Sequence, residues 1–155
     1  MKTVNTVSQI AASYDRVSEL LLTTKTLASV SAKRIRFRGT SVWPVRWDKW
    51  PTEEYIDIQP SYLGLPHGHH YVRVDDICSS KNDGGHKLVI STDEYGGIFK
   101  KWKHTMKLIS LGYNLCQLTD TVQFDAGMLT PLAYWIVRDQ YRSRHAQWHK
   151  IVATA

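Results

Sequence analysis

A histidine and an aspartate are the residues of this sequence best placed to do chemistry together. His104 and Asp120 lie in two neighbouring stretches that alternate apolar and polar residues with the two-residue period of a β-strand. The even-numbered positions form the apolar set: Trp102, His104, Met106 and Leu108 in the first stretch, and Cys116, Leu118, Asp120, Val122 and Phe124 in the second. Antiparallel pairing that keeps both sets on one face puts His104 opposite Asp120 or Val122, so the imidazole and the carboxylate are neighbours in either register.

Such a pair has two interpretations. In the structural one, the carboxylate accepts a hydrogen bond from the ring, and both side chains stabilise a partly polar core. In the catalytic one, Asp120 orients His104, and the two act as a general acid/base pair in a cavity. The sequence alone leaves both interpretations open.

The pair is positioned by a predicted sheet and a predicted long helix. Strands are expected at residues 2–10, 34–38, 55–58, 69–78, 86–95, 99–110 and 115–125. Two short helices follow the first strand, and Ser13 can cap the first of them. Thr130, as N-cap, and Pro131 begin a helix that runs to about residue 152. These elements predict an α+β fold in which a curved antiparallel sheet of about six or seven strands wraps around a long C-terminal helix.

The space between sheet and helix is predicted to hold a small apolar molecule. Its expected lining is Trp102, His104, Met106, Leu118, Asp120, Val122, Leu132, Trp135 and Ile136. The two preceding strands should add a matching inward face, formed by Leu88, Ile90, Thr92, Glu94, Val72, Val74 and Asp76. Walls rich in tryptophan favour a flat or aromatic guest. The segment 40–52, with three tryptophans between prolines, is expected to be an irregular loop packed by its own indoles.

Other residues that could bind a metal or a cofactor form no complete set. His67, His69 and His70 cluster near a turn, but no nearby carboxylate or cysteine completes a tetrahedral site, so no metal is predicted. His145 and His149 share a face of the last helix and are expected on its surface. The sequence has no glycine-rich phosphate loop, serine elbow or paired CxxC motif, and no cofactor is predicted.

Composition limits the remaining classes. The 155 residues carry a formal net charge of +6, but the lysines and arginines are scattered, so nucleic acid is not an expected partner. No stretch is long and apolar enough to span a membrane. Cys78 and Cys116 are expected to be reduced core thiols, although one disulfide is possible. We therefore expect one domain over residues 1–155, cytoplasmic, and a monomer or homodimer.

The residues around the histidine and the aspartate also resemble a known superfamily. Trp102-Lys103-His104 is followed by a hairpin, by the segment from Leu118 to Phe124 with its Thr-x-Asp-x-Val-x-Phe pattern, and by a glycine and a long helix. This order resembles the SRPBCC superfamily, the START-like, birch-pollen-allergen-like helix-grip proteins, and especially bacterial members described as polyketide cyclase/dehydrase-like. Arg142 and Arg144 fit the basic run that such members often carry on the last helix.

The resemblance implies a cavity between sheet and helix for lipids, sterols, polyketides or other apolar metabolites. It also implies two functions to distinguish. The first is non-catalytic binding of a small apolar or aromatic molecule. The second is a cyclase- or dehydratase-type activity that uses His104 and Asp120. Fold alone does not choose between them.

Overall fold

The computed structural model describes residues 1–40, 43–66 and 68–154. The chain begins with a strand, two short helices and several short strands, continues with four long antiparallel strands, and ends with a long helix. The strands are β1 (Lys2–Ile10), β2 (Ile35–Phe37), β3 (Ile56–Asp57), β4 (Pro60–Tyr62), β5 (Leu65–Pro66), β6 (His70–Asn82), β7 (Gly85–Gly96), β8 (Phe99–Gly112) and β9 (Leu115–Asp125). The helices are α1 (Tyr14–Leu22), α2 (Thr24–Ser31) and α3 (Thr130–Thr154), and short 3₁₀ turns occupy Trp47–Lys49 and Gly127–Leu129.

The main sheet has six strands in the order β1-β9-β8-β7-β6-β3. Every pair is antiparallel, and the first strand closes the sheet beside the last one. The 25-residue helix α3 packs on the inner face of this sheet. This arrangement confirms the predicted α+β helix-grip architecture. A second sheet has three short strands in the order β2-β4-β5. Its strand β2 lies within the strand predicted at residues 34–38, but β4 and β5 were not predicted, because strands of three and two residues are too short to show a period.

The alternation of β8 and β9 determines their inward faces, as predicted. Trp102, His104, Met106 and Leu108 are all buried on β8, and the even-numbered residues from Cys116 to Phe124 are all buried on β9. His104 lies opposite Val122, and Met106 lies opposite Asp120. The imidazole and the carboxylate are therefore diagonal neighbours on one face.

A β-bulge between Val74 and Asp76 changes the inward face of β6. Before the bulge, Val72 and Val74 are buried, as expected. After the bulge, Ile77 packs on the core opposite Ile90, while Asp76 is exposed. The expectation that Asp76 faces inward is wrong, because the extra residue shifts the two-residue period by one position.

Helices α1 and α3 begin in different ways. Ser13 caps α1 by accepting a hydrogen bond from the Arg16 backbone N–H at 3.3 Å, as predicted. Thr130 is not an N-cap, because its own angles are already helical, at φ −52° and ψ −42°. Its hydroxyl oxygen instead accepts from the Ala126 N–H at 2.9 Å and donates to the Gly127 carbonyl at 2.8 Å. A 3₁₀ turn therefore leads directly into α3.

The tryptophan-rich segment packs into the core. Trp43, Trp47 and Trp50 are buried, and the Trp47 and Trp50 rings lie 4.5 Å apart between centroids. The described part of this segment is irregular apart from the short turn at Trp47–Lys49. These indoles belong to one buried cluster with Val30 of α2 and Trp148 of α3.

Candidate functional site

A cavity of about 140 Å³ lies between the inner face of the sheet and α3. The sheet provides its floor from β6, β7 and β8, and the helix provides one wall. The opposite wall comes from α2, β2, β4 and Trp47, and the β7–β8 turn at Gly96 to Phe99 forms one end. Engineered apolar cavities of about 150 Å³ hold a benzene molecule. The space is therefore about the size of one aromatic ring.

Apolar side chains dominate the cavity surface. Phe37, Trp47, Phe99 and Trp102 contribute aromatic surface, and Met106 contributes a flexible side chain. The Phe99 and Trp102 rings meet edge to face with centroids 4.7 Å apart. Burying a flat apolar molecule against these rings would remove apolar surface from water, which is the main favourable term in such binding.

Four of the predicted site residues line the cavity, and three are buried beside it on β9. The lining includes Trp102, His104, Met106 and Ile136. Leu118, Asp120 and Val122 are buried on the same inner face, on the neighbouring strand β9, and do not line the cavity.

Leu132 and Trp135 correct the prediction for the helix. Leu132 is 61% exposed and Trp135 is 62% exposed, so neither lines the cavity. The buried stripe of α3 consists instead of Thr130, Ala133, Val137, Gln140, Tyr141, Arg144, His145 and Trp148. This stripe includes polar residues, and a search for apolar residues alone therefore selected the wrong side of the first helical turns.

Asp120 is the centre of a buried hydrogen-bond network that joins four elements. One carboxylate oxygen accepts from His104 Nε2 at 2.5 Å, and the other accepts from His145 Nε2 at 2.7 Å. His145 Nδ1 lies 2.7 Å from the Ser8 hydroxyl. With Nε2 protonated on both rings, a neutral His145 accepts the Ser8 proton, and every polar atom of that ring has a partner. The network connects β1, β8, β9 and α3.

The expectation that His145 lies on the helix surface is wrong. The residue is 4% exposed, and its position at the buried side of α3 lets it reach across to Asp120. His149, one turn later, is exposed as expected. The signal in the sequence is the helical spacing of four residues from Tyr141 to His145 and three from His145 to Trp148, which places the imidazole in a mostly aromatic stripe.

Arg144 is the second residue that sequence reasoning did not place in the site. It is 4% exposed and lines the cavity. Its guanidinium lies 5.4 Å from the centre of the Tyr141 ring, and its Nη2 donates to the Met106 sulfur at 3.3 Å. Its Nε has no hydrogen-bond partner among the described residues.

A second polar pair closes the sheet side of the cavity. His70 Nε2 and the Glu94 carboxylate are 2.7 Å apart, and the Thr92 hydroxyl donates to the other Glu94 oxygen at 2.5 Å. The His70 ring also meets the Trp102 ring edge to face at 5.9 Å. His70, Thr92 and Glu94 all contribute to the cavity surface.

Burial and the neighbouring charges shift the pKa values of three groups in this region, Asp120, Glu94 and Tyr141. Burial alone would raise the pKa of Asp120, but Arg144 and the His104 and His145 hydrogen bonds outweigh it and hold that pKa well below its ordinary value. Burial likewise opposes ionisation of Glu94, yet His70, His104 and Thr92 together keep the pKa of Glu94 below its ordinary value. Burial raises the pKa of the Tyr141 hydroxyl well above 10, and Arg144 only partly offsets this. Both carboxylates are therefore charged at neutral pH, and Tyr141 is neutral.

The histidines near the predicted turn do not converge. His69 pairs with Asp57 at 2.5 Å on the surface, whereas His70 points inward to Glu94. Each therefore has its own carboxylate, which the sequence analysis did not anticipate. His67 lies outside the described residues. Within residues 1–40, 43–66 and 68–154, no three His, Cys, Asp or Glu side chains are grouped so that they could hold a metal ion.

The two cysteines occupy different environments. Cys116 is buried and Cys78 is exposed, so the expectation that Cys78 is a core thiol is wrong. Both are free. They lie on β9 and β6 with two strands between them, about 14 Å apart at the usual strand spacing. A disulfide needs Cα atoms within about 7 Å, so these two residues do not form one in this fold.

Comparisons with known proteins agree with this geometry. A START superfamily protein from Mycobacterium smegmatis superposes with a TM-score of 0.63 at 12% identity, covering 96% of this chain and 98% of that one. A protein from Chromobacterium violaceum gives a TM-score of 0.68 at 11% identity over the whole of both chains. Norcoclaurine synthase from Thalictrum flavum gives 0.61 at 10% identity, covering 99% of this chain and 94% of that one.

Sequence comparisons give no match. No family model matches the chain, and neither does any curated protein. In the described residues, no helix combines the length and the apolar character needed to cross a membrane. Identities of 10–12% establish shared architecture and nothing more specific. On the evidence of the sheet order, the position of α3 and these superpositions, the chain has the START-like helix-grip fold of the SRPBCC proteins.

Proposed function

We propose that this protein binds a small apolar or aromatic molecule in the cavity between its sheet and α3. The single observation that carries the proposal is the cavity itself, about 140 Å³ in volume and walled mainly by apolar and aromatic side chains. Protein interiors are normally close-packed, with few voids larger than a water molecule. A space of this size on the inner face of a gripping sheet is best explained by a guest.

The test is to fill the cavity and measure the loss of binding. Ile136→Trp places a large ring at the cavity wall, whereas Leu132→Trp adds the same ring one turn earlier, on an exposed part of the same helix. Calorimetric titration with indole, toluene and naphthalene should detect saturable binding to the native protein and to Leu132→Trp. Ile136→Trp should bind at least about tenfold more weakly, which corresponds to about 1.4 kcal/mol. If the native protein binds none of these three probes, the proposal is refuted.

The natural guest is best sought by mass spectrometry of small molecules that co-purify with the native protein. Lipid, polyketide or other aromatic metabolites would each fit the apolar walls. We place this function in the cytoplasm, because free thiols are typical of reducing compartments. A recovered molecule that is strongly polar throughout would contradict the apolar-guest proposal.

A second candidate function is a cyclase- or dehydratase-type reaction with His104 as general acid or base. The observation that favours it is the position of His104, which lines the cavity while Asp120 holds its Nε2 at 2.5 Å. Asp120 therefore fixes the ring orientation, and Nδ1 is the nitrogen left to exchange a proton with a bound molecule. An ionised partner of this kind is the usual way to orient a catalytic imidazole.

The comparison that separates binding from catalysis uses His104→Phe. This change keeps an aromatic ring of similar size but removes both nitrogens. The compound recovered from the native protein should be incubated with each form, and both affinity and conversion should be measured. Conversion by the native protein that is lost in His104→Phe, with affinity retained, supports the enzyme. Unchanged affinity and no conversion by either form leaves the binding function and removes the catalytic one.

A further inference from the structure

The Arg144 guanidinium is a buried, permanently charged group with too few hydrogen-bond acceptors. It carries five N–H donors and cannot lose its charge in a protein. In the structure Nη2 donates to the Met106 sulfur, which is a weak acceptor, and the guanidinium also hydrogen-bonds the Tyr141 hydroxyl, but Nε has no partner among the described residues. Buried polar groups are nearly always satisfied, and each exception requires an explanation.

Neither of the two buried carboxylates in this region accepts a hydrogen bond from Arg144. Both oxygens of Asp120 accept from imidazoles, and both oxygens of Glu94 are engaged by Thr92 and His70. Asp120 and Arg144 interact through space strongly enough to lower the Asp120 pKa, yet no hydrogen bond joins them. The guanidinium is thus held at the cavity, and its Nε–H has no acceptor among the described residues.

Other unsatisfied groups lie on the same cavity. The Trp102 indole N–H and the Gln140 side-chain oxygen belong to lining residues and have no partner among the described residues. Gln140 is one turn before Arg144 on α3, and Trp102 lines the same cavity from β8. A purely apolar guest would leave all of these groups unmatched. A guest with an oxygen-bearing polar end would match the donors of Arg144.

We propose that the guest is an aromatic acid about one ring in size, with its carboxylate accepting hydrogen bonds from Arg144 and its ring against Trp102 and the apolar wall. A planar guanidinium matches a carboxylate with two parallel N–H···O bonds, and it does so better than any neutral acceptor. The volume of about 140 Å³ limits the apolar part to about one ring. This inference rests on the proposed binding function and specifies the chemical class of its guest.

The experiment compares two molecules of the same shape, phenylacetate and phenylacetamide, by calorimetric titration at pH 7. The native protein should bind the acid at least about tenfold more tightly than the amide, as expected for a charge-assisted hydrogen bond in a buried site. Arg144→Gln should bind the two molecules within about threefold of each other. Arg142→Gln, which removes an exposed arginine two positions earlier, should keep the native preference.

Equal affinities of the native protein for acid and amide would overturn the carboxylate assignment and leave the binding proposal intact. Binding of neither molecule, nor of the neutral aromatic probes, would overturn both. If Arg144→Gln does not fold by circular dichroism, Arg144→Lys replaces it, because lysine keeps the charge but not the planar fork. Arg144→Lys should lose most of the preference for the acid, and a fully retained preference in that variant would count against the assignment.

Discussion

Removing the Asp120 carboxylate should be among the most destabilising single changes in this protein. A single imidazole partner would lead us to expect about 1–3 kcal/mol for Asp120→Ala, the usual cost of leaving one buried group unsatisfied. The structure shows two imidazole partners, at 2.5 and 2.7 Å, on a residue that is 1% exposed. It also shows a buried arginine whose charge would lose its nearest opposing carboxylate. Breaking a buried charge pair costs about 3–5 kcal/mol, and we expect Asp120→Ala to fall in that range.

The assay is urea unfolding followed by circular dichroism. With a slope of about 2 kcal/mol per molar, ordinary for a small protein, the midpoint should fall by about 1.5–2.5 M. Asp139→Ala is the matched control, since Asp139 forms a 2.7 Å ion pair with Arg34 but is half exposed. Surface pairs contribute about 0–1 kcal/mol. Asp120→Asn, which keeps the shape without the charge, should lie between the two.

A midpoint for Asp120→Ala within about 0.5 M of the Asp139→Ala midpoint would refute this reasoning, because at that slope it corresponds to a difference of about 1 kcal/mol. It would mean that His104, His145 and Arg144 find other partners, or water, when the carboxylate is absent. The network would then be a consequence of the fold and not one of its main supports.

Three further predictions concern acid stability, a turn and the thiols. Folding lowers the pKa of Asp120, so the ionised carboxylate stabilises the fold fully above about pH 5, and this stabilisation is lost as the pH falls below about 4. Below about pH 4, the difference in unfolding free energy between native protein and Asp120→Ala should shrink by about 1.4 kcal/mol per pH unit. A constant difference down to about pH 2.5 would contradict this prediction. Gly96→Ala should destabilise the protein by about 3 kcal/mol, because at φ +140° the new Cβ would lie 2.3 Å from the His69 carbonyl oxygen. The control Gly112→Ala should change the urea midpoint little, because its Cβ would have no neighbouring atom within 4 Å. Cys78 should react with Ellman's reagent in the folded protein, whereas Cys116 should react only after unfolding. In denaturant without reductant, the reagent should count two free thiols per chain. Slow reaction of Cys78 in the folded protein would contradict its exposure.

The sheet was the most predictable part of the molecule. On β8 and β9 one face of each strand is apolar and the other is rich in lysine, threonine and glutamine, so a pairing that is shifted by one residue cannot bury both apolar faces. That constraint is enough to predict from the sequence that His104 and Asp120 are neighbours. The same reasoning fails on β6 after Val74, because a bulge adds one residue without changing the composition of the strand.

The helix was less predictable because its buried stripe is not uniformly apolar. Leu132 and Trp135 have the residue types of a core, yet they are exposed, while Arg144 and His145 have the residue types of a surface, yet they are buried. Hydrophobic periodicity assigns a helix face by counting apolar residues. It cannot identify buried polar residues such as Arg144 and His145, whose burial is possible because the Asp120 carboxylate on the facing strand supplies the opposite charge or a hydrogen-bond acceptor.

The polar network also explains why stability and binding must be measured separately here. Asp120 joins β8 through His104 to α3 through His145, and His145 in turn reaches β1 through Ser8. These bonds attach the helix to the sheet on one side of the cavity, while His104 and Arg144 face the cavity itself. A substitution in the network therefore alters both the attachment of the helix and the surface that a guest would meet. Only a change that leaves the urea midpoint intact and alters affinity, as expected for His104→Phe if its ring nitrogens serve the guest, assigns a residue to function and not to the fold.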